Sequence, residues 1–452
     1  MINALKISGR GNNGLGIGVF NAITEKTTTT VTDILTQEKE ADEISPLTNY
    51  NVLVLDQQFH KNSSISFVNT NVLRAGDFED ANVSAFVLNL TNKDNYYLTA
   101  VPKISIKNQE KGFGSEFRIG RRSGSYQFEY ANLINDEKFD TNDLGFQLNN
   151  NFHDNVAEIS YRIFEPTAHL NTFDITFNTI VKSLYKPSRY VGNEISLSTA
   201  MTTKKQAVVS ALITSNLGTQ KDFRYKSLAV DETYFKTPTQ LGFGGQLRSD
   251  LRKKFNYTIG GFYASQIGNS MSVLELQINP SLRISDKWTL GYAYNYTQRN
   301  NEKGYVNTVE NENIFGNRLV QTFENSMQST YYLNTDMFVD FSLRHFWTPV
   351  AYDNTFYTLV SSGKLSANTY QNHHDVNYNS WNVNLNFFWQ FAPGSQLVAQ
   401  YRNAIRNTGN DSTLSFSDNL QNLFEQSAIS NFSIKILYYL DVNRIRKNNN
   451  KI

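Results

Sequence analysis

Hydrophobic and polar residues alternate along most of the chain, most clearly in its second half. In 288–297, large aromatic or aliphatic residues occupy every second position, with small or polar residues between them. The segments 336–347 and 381–391 repeat this pattern, with Trp, Phe and Leu opposite Asn, Ser and Asp. A period of two residues predicts β-strands that have one ring-rich face and one amide-rich face.

The connections between these strands alternate between tight and long. Tight turns fall at 284–287, 334–336 and 392–394, and long connections at 300–317, 350–377 and 409–426. Consecutive strands of an up-and-down barrel turn at opposite ends, so the short and long connections collect on opposite rims. This arrangement is typical of outer-membrane β-barrels, whose short turns face the periplasm and whose long loops face outside.

Strand length favours the same class of fold. Strands of soluble proteins usually have about 5–6 residues, whereas strands that cross a bilayer need about 9–11. Four expected strands are longer than ten residues, namely 270–285, 287–300, 318–333 and 335–349. The alternative, a large soluble sandwich or propeller, shares the strand content.

We therefore predict an all-β fold, a large antiparallel transmembrane up-and-down β-barrel of about 22 to 24 strands in this chain. The barrel is expected to occupy 1–443, with a fourth long loop at about 27–46 and a polar C-terminal tail at 444–452.

The expected terminal strands are 3–10 and 427–441. Single-chain bacterial barrels normally have an even number of strands with both ends in the periplasm. Counting back from 427–441 places the start of the first strand at the outer rim, and no signal peptide precedes it. The sequence thus predicts a barrel that is incomplete at its N-terminus.

Composition narrows the function classes. Aromatic residues make up 13% of the 452 residues, which suits lipid-facing strands and aromatic girdles. The net charge of +1 gives no field that would attract nucleic acid. The chain has no cysteine, which excludes disulfides and thiolate metal sites. No run approaches 18 apolar residues, so no transmembrane helix is expected.

Few residues form a recognisable chemical motif. The run 9–14 matches G-x-G-x-x-G, but the strand-like residues after it predict a hairpin turn, since a dinucleotide site needs a helix there. His373, His374 and Asp353 share one long connection without a nucleophile motif beside them. We assign no catalytic, metal-binding or cofactor-binding residue, and expect a non-enzymatic protein without a cofactor.

Aromatic residues in the long connections are candidate ligand contacts, because sugar recognition uses rings that stack on pyranose faces. The alternative is that long loops pack their rings against one another. The candidates in 350–377 and 409–426 are Tyr352, Phe356, Tyr357, Tyr370, Phe416 and Phe424.

Several segments resemble a known family. They are 6–10 with 16–22, 46–52 with 57–59, 161–166, 346–350, 391–396 and the ending 436–441. They resemble a Gram-negative outer-membrane family of unknown function whose longer members carry a family 9-like carbohydrate-binding domain before a β-barrel. This chain resembles the barrel part alone, and the family suggests no catalytic residues to transfer.

The resemblance implies a location in the cell outer membrane and a connection to glycan binding or uptake. We expect a barrel that anchors or serves a carbohydrate-binding or uptake protein, as a passive or gated pore. Its expected partners are outer-membrane lipid, a glycan ligand and a surface lipoprotein or envelope complex, and not nucleic acid. Alternatives are a TonB-dependent transporter barrel without its plug, a structural component of an outer-membrane assembly, and an outer-membrane hydrolase.

Overall fold

Alternating side chains produce strands along nearly the whole chain. The computed structural model describes residues 2–33, 36, 38–60, 62–224 and 233–439. Within these ranges it contains 26 strands and one short helix. The main sheet is antiparallel and has 22 strands, which confirms the predicted all-β fold class and strand number. No helix in the described ranges has the length and apolar character needed to cross a bilayer.

Strands β1 to β11 precede residue 164. They are β1 (Asn3–Arg10), β2 (Leu15–Thr24), β3 (Thr27–Thr32), β4 (Lys39–Ser45), β5 (Thr48–His60), β6 (Ser63–Arg74), β7 (Ala81–Thr91), β8 (Tyr96–Lys107), β9 (Glu110–Arg121), β10 (Tyr126–Asn135) and β11 (Phe152–Ile163). Apart from the separate β3–β4 hairpin, each strand pairs antiparallel with the next one along the chain. This is the up-and-down order expected from the sequence.

The remaining strands continue to residue 437. They are β12 (Leu170–Leu184), β13 (Arg189–Thr203), β14 (Val208–Asn216), β15 (Gln220–Asp222), β16 (Phe235–Thr237), β17 (Gln240–Arg248), β18 (Phe255–Gln266), β19 (Ser272–Ser285), β20 (Trp288–Val309), β21 (Glu312–Tyr332), β22 (Met337–Leu359), β23 (Leu365–Asn368), β24 (Val376–Ala392), β25 (Ser395–Gly409) and β26 (Ile429–Leu437). From β17 onward each strand again pairs with its successor, and the short β23 pairs with β22 alone.

The chain divides into two compact units. Unit 1 comprises Met1–Ile163, Asp174–Leu197 and Asn216–Gln220, and unit 2 comprises Phe164–Phe173, Ser198–Ser215 and Lys221–Ile452.

The predicted long loops contain more regular structure than the sequence indicated. The segment 300–317 is almost entirely strand, because β20 and β21 have 22 and 21 residues and turn only at 310–311. Cross-strand pairs hold this extension together, among them an ion pair of 2.7 Å between Glu302 and Arg318. Lys303 also donates a hydrogen bond of 2.6 Å to the side-chain oxygen of Asn317 across this hairpin, so polar groups of the expected loop pair between the two strands.

The other three predicted loops are also partly ordered into regular elements. Within 27–46, Thr27–Thr32 pairs with Lys39–Ser45 as the β3–β4 hairpin. The segment 350–377 contains the end of β22 and all of β23, and 409–426 contains helix α1 (Phe416–Phe424). The last strand ends at Leu437 where 441 was expected. The predicted tail at 444–452 lies outside the described residues.

Register places the rings of neighbouring strands side by side. Tyr296 lies opposite Phe323, and Phe323 lies opposite Trp347. Their ring centroids are 5.1 and 4.7 Å apart. On the other face of the same strands, Glu324 and Arg344 form an ion pair of 2.7 Å. These strands of unit 2 therefore have a ring-rich face and a face that carries an ion pair, as the alternation predicted.

Candidate functional site

Three of the predicted ligand-contact aromatics come together around a histidine. The ring centroids of Tyr352 and Tyr370 lie 6.3 and 5.2 Å from that of Phe356, and Tyr370 stacks on His374 at 5.6 Å. Phe356 is only 2% exposed. These rings pack on one another, so the group forms a small core within the long connections of unit 2.

Tyr357 contacts Lys303 and not the rings around His374. The Lys303 ammonium lies 4.7 Å from the centroid of its ring and 3.4 Å from its hydroxyl oxygen. This cation–π contact holds the ring against the extended β20–β21 hairpin. Tyr357 is therefore separate from the His374 group.

Phe416 and Phe424 lie at the two ends of α1 and contact the ring-rich face of unit 2. Phe416 lies 5.9 Å from Trp347, and Phe424 lies 5.1 Å from Trp381, measured between ring centroids. Each of the two side chains keeps about half its surface exposed. They are the most accessible of the six predicted aromatics.

The sequence also places Asp353 and His374 in one long connection. The Asn317 amide donates to Asp353 at 2.5 Å, whereas His374 Nε2 shares a hydrogen bond of 2.8 Å with the Tyr370 hydroxyl. Burial beside these rings lowers the pKa of His374. Each group thus has its own partner. In the described ranges no set of three His, Asp or Glu side chains could hold a metal ion.

A cavity of about 620 Å³ opens on the polar face of unit 1, which sequence reasoning did not identify. It lies where the tight turns join β1 to β2, β7 to β8 and β9 to β10. Its lining is almost entirely polar, and Arg10, Asp56 and Arg122 are its charged residues. The other polar side chains are amides and hydroxyls, among them Ser64, Asn89 and Thr99.

One side of the cavity is an ion pair. Arg10 at the end of β1 bonds to the Asp56 carboxylate on β5, which also accepts a hydrogen bond of 2.6 Å from Ser66. Gly16 leaves room for the arginine, because a Cβ there would lie 3.1 Å from its guanidinium. Asp56 thus neutralises Arg10 at the mouth of the cavity.

The opposite side is formed by Arg122 and Tyr97. The guanidinium carbon of Arg122 lies 3.7 Å from the centroid of the Tyr97 ring, and the Tyr97 hydroxyl donates to Glu129. Tyr97 is 5% exposed, so its ring serves as a fixed support for the arginine. No carboxylate in the described ranges lies within 4 Å of Arg122.

The connection 136–151 folds back onto the polar face of unit 1. Phe139 is 2% exposed and lies directly over Gly112 and Gly114 of β9. A Cβ on Gly112 would lie 2.3 Å from the backbone of Phe139. The two glycines therefore create the space in which this connection sits.

Charge pairs fix the same connection. Asp143 lies 2.5 Å from Arg74 and 3.2 Å from Lys107, and Asp140 lies 3.3 Å from Lys107. A backbone hydrogen bond from Asn142, together with Lys107, lowers the pKa of Asp140. The acidic run in 136–143 was the sequence signal for this inward-folded connection, and it was missed.

The fold and these sites define a class: a large antiparallel β-protein with one ring-rich face, one polar face, and long connections that fold back on the sheet. A family model described as a domain of unknown function, DUF5916, matches residues 1–449, and the chain belongs to that family. A comparison with curated proteins finds no match. The expectation of a family of unknown function is thus confirmed, whereas its outer-membrane location and carbohydrate-binding domain remain predictions.

Proposed function

We propose that the chain is an outer-membrane β-barrel that anchors or serves a carbohydrate-binding or uptake protein and performs no covalent chemistry. The ring-rich face meets lipid, and the polar face lines a path or cavity for polar solutes. Its partners are outer-membrane lipid, a glycan ligand and a surface lipoprotein or envelope complex. The connection to glycans rests on the sequence resemblance described above.

The observation that carries the proposal is the exposure of the ring-rich face. Phe243, Ile259 and Ile278 are 60%, 47% and 48% exposed although they lie in the middle of hydrogen-bonded strands. Soluble proteins seldom leave an apolar surface of this extent in water. Lipid contact would satisfy these side chains, while the paired backbone groups need no water.

The folded connection 136–151 supports a restricted path over a wide open one. It occupies the polar face of unit 1 and is held there by Phe139 and three ion pairs. A wide barrel commonly narrows its interior with such an inward-folded segment. An inward-folded connection is also compatible with a structural anchor that conducts nothing. A conductance measurement is therefore needed to distinguish a solute path from an anchor.

Insertion into lipid tests the proposal. Ile278→Arg puts a charge on the ring-rich face, which costs about 2–4 kcal/mol at the bilayer midplane. The matched control, Gln277→Arg, puts the same charge on the adjacent residue of the polar face. We expect Ile278→Arg to reduce folding into lipid vesicles at least tenfold and Gln277→Arg to change it little.

Two results would contradict the proposal. One is equal folding of both variants into vesicles, and the other is a wild-type chain that stays monodisperse in water without detergent. For the inserted protein, a single-channel current in planar bilayers supports a solute path. A closed trace supports the anchoring role.

A further inference from the structure

We infer that the polar cavity of unit 1 binds a small polyhydroxylated anion, whose acidic group is held by Arg122. This inference deepens the proposed function, on which it rests, by naming a solute class for the polar face. The cavity volume of about 620 Å³ lies within the range of small-molecule sites, about 300–1,000 Å³. Nothing in the proposed function so far required a defined site there.

The charge of the residues that line the cavity favours a ligand with one acidic group. Asp56 neutralises Arg10, so the positive charge of Arg122 is in excess among the side chains that line the cavity. The Arg122 guanidinium carbon lies 3.7 Å from the centroid of the Tyr97 ring, and a guanidinium held in this way can bind a carboxylate or phosphate with two parallel hydrogen bonds. A ligand with no negative charge would leave this group without an anionic partner.

The remaining lining selects hydroxyl groups. Asn89, Ser64 and Thr99 offer amides and hydroxyls, which both donate and accept hydrogen bonds. Thr99 donates to the Asn89 carbonyl oxygen at 2.9 Å and so fixes the orientation of that amide. Hydroxyls of a polyol also donate and accept, so they match this surface better than an apolar ligand would.

The position of the cavity supports access from solution. It lies at the strand ends where β1 ends and β8 begins, and it is partly open to solvent. The Arg10–Asp56 pair comes from β1 and β5, whereas Tyr97 is on β8 and Arg122 directly follows β9. Because these residues line one cavity, a single ligand can contact Arg122 and the hydroxyl-rich wall together.

The test measures binding to the full chain, purified in detergent, with four probes. Gluconate and glucitol share a carbon chain and differ in the carboxylate, glucitol 6-phosphate carries a phosphate, and acetate has charge without hydroxyls. We expect either acidic polyol to bind at least tenfold more tightly than glucitol and than acetate. The tighter of the two identifies the acidic group.

Arg122→Gln should lower the affinity for the acidic polyol to that for glucitol, and Arg122→Lys should keep part of the difference. The matched control is Arg121→Gln. Arg121 is the neighbouring arginine and lies over the Tyr96 ring at 5.4 Å, but it does not line the cavity. Ser64→Phe, which fills the cavity, should abolish binding of every polyol even if Arg122→Gln does not fold.

Equal affinity for gluconate, glucitol 6-phosphate and glucitol overturns the inference, as does a loss of binding in Arg121→Gln equal to that in Arg122→Gln. Failure of this inference is distinguishable from failure of the proposed function. Binding without insertion into vesicles rejects the membrane role alone, whereas insertion without binding rejects the site alone.

Discussion

Two long connections of this protein fold back on the sheet in opposite ways. In unit 1, 136–151 lies on the polar face and is held by the ion pairs of Arg74 and Lys107. In unit 2, 410–428 lies on the ring-rich face through helix α1, whose Leu423 is fully buried. The chemistry of each connection matches the face that it covers.

The connection in unit 2 also hides polar groups on a ring-rich face. His345 and Asn379 lie on that face, are almost fully buried, and share a hydrogen bond of 2.9 Å. The Asn379 amide donates to the backbone oxygen of Asn419 in α1 at 3.0 Å. A buried polar group without a partner costs several kcal/mol in lipid. If this face meets lipid, α1 is needed to keep His345 and Asn379 hydrogen-bonded and away from the lipid.

The largest expected effect on either connection comes from a substitution at Gly112. Replacing it with Val forces atoms into the backbone of Phe139, so the connection 136–151 must leave the polar face. Losing a buried Phe costs about 3 kcal/mol or more. We expect trypsin to cleave after Lys138 at least about 100-fold faster than in the wild-type chain.

The control for this variant is Gly9→Val. Gly9 is also in a strand of unit 1, but a Cβ there has nothing within 4 Å. Its cleavage rate should equal that of the wild type. Slow cleavage in Gly112→Val would mean that the connection tolerates the added atoms without undocking.

In unit 2 the corresponding variant is Leu423→Ala. Leu423 is fully buried under α1, so its truncation leaves a cavity that costs about 2–3 kcal/mol. We expect chymotrypsin to cleave after Phe424 at least about 30-fold faster. Leu420→Ala, on the more exposed side of the same helix, should have a much smaller effect; equal effects would show that α1 does not dock through Leu423.

The sequence predicted the sheet well because strand alternation is a local property. The rings of 288–297 lie on one face of their strand, and Trp381, Phe387 and Trp389 lie on one face of theirs, as the period of two residues required. Phe388 is an exception, since it lies on the opposite face and stacks on Phe338 at 4.5 Å. Hairpin chemistry was also readable: the Gly/Asn run 9–14 contains the turn between β1 and β2, with Gly14 at φ +84°. Each of these features depends on residues that are close in the chain.

The folded connections were less predictable because they depend on distant partners. Phe139 needs the space left by Gly112, and Asp143 needs Arg74, which lies 69 residues away in the chain. The cavity likewise combines the ends of several strands. The grouping of Tyr352, Phe356 and Tyr370 agrees with self-packing loops, the alternative that the sequence left open.

Removing an ion pair should have a smaller effect, and it should loosen 136–151 without loosening 410–428. Asp143→Asn removes the pairs to Arg74 and Lys107, and we expect 136–151 to lose about 1–2 kcal/mol of docking free energy. The Lys138–Glu110 pair is more exposed, so Glu110→Gln is the control. Trypsin cleavage after Lys138 measures both variants, and a response of the chymotrypsin site at Phe424 would contradict the separation.

The smallest expected effect is a difference in pH dependence between 136–151 and the His374 group. Burial lowers the pKa of His374, so protonation below its ordinary value of 6.5 favours the undocked form. Asp140 behaves differently, because its pKa is lowered and its charged form is the one that stabilises the docked connection. Its contribution to docking is complete above pH 3.8 and is lost only as the pH falls below that value. Between pH 7.5 and 5.5, therefore, only the His374 group should loosen.

Amide hydrogen exchange, corrected for the intrinsic rate at each pH, measures this difference. Protection in 360–375 should fall at pH 5.5, while protection in 136–151 stays constant. The adjacent histidine provides the control, because His373 is 63% exposed and His374 bonds to Tyr370. His374→Phe should remove the pH dependence and His373→Phe should keep it. The reverse would place the pH response in the exposed imidazole and leave the buried ring group insensitive to protonation.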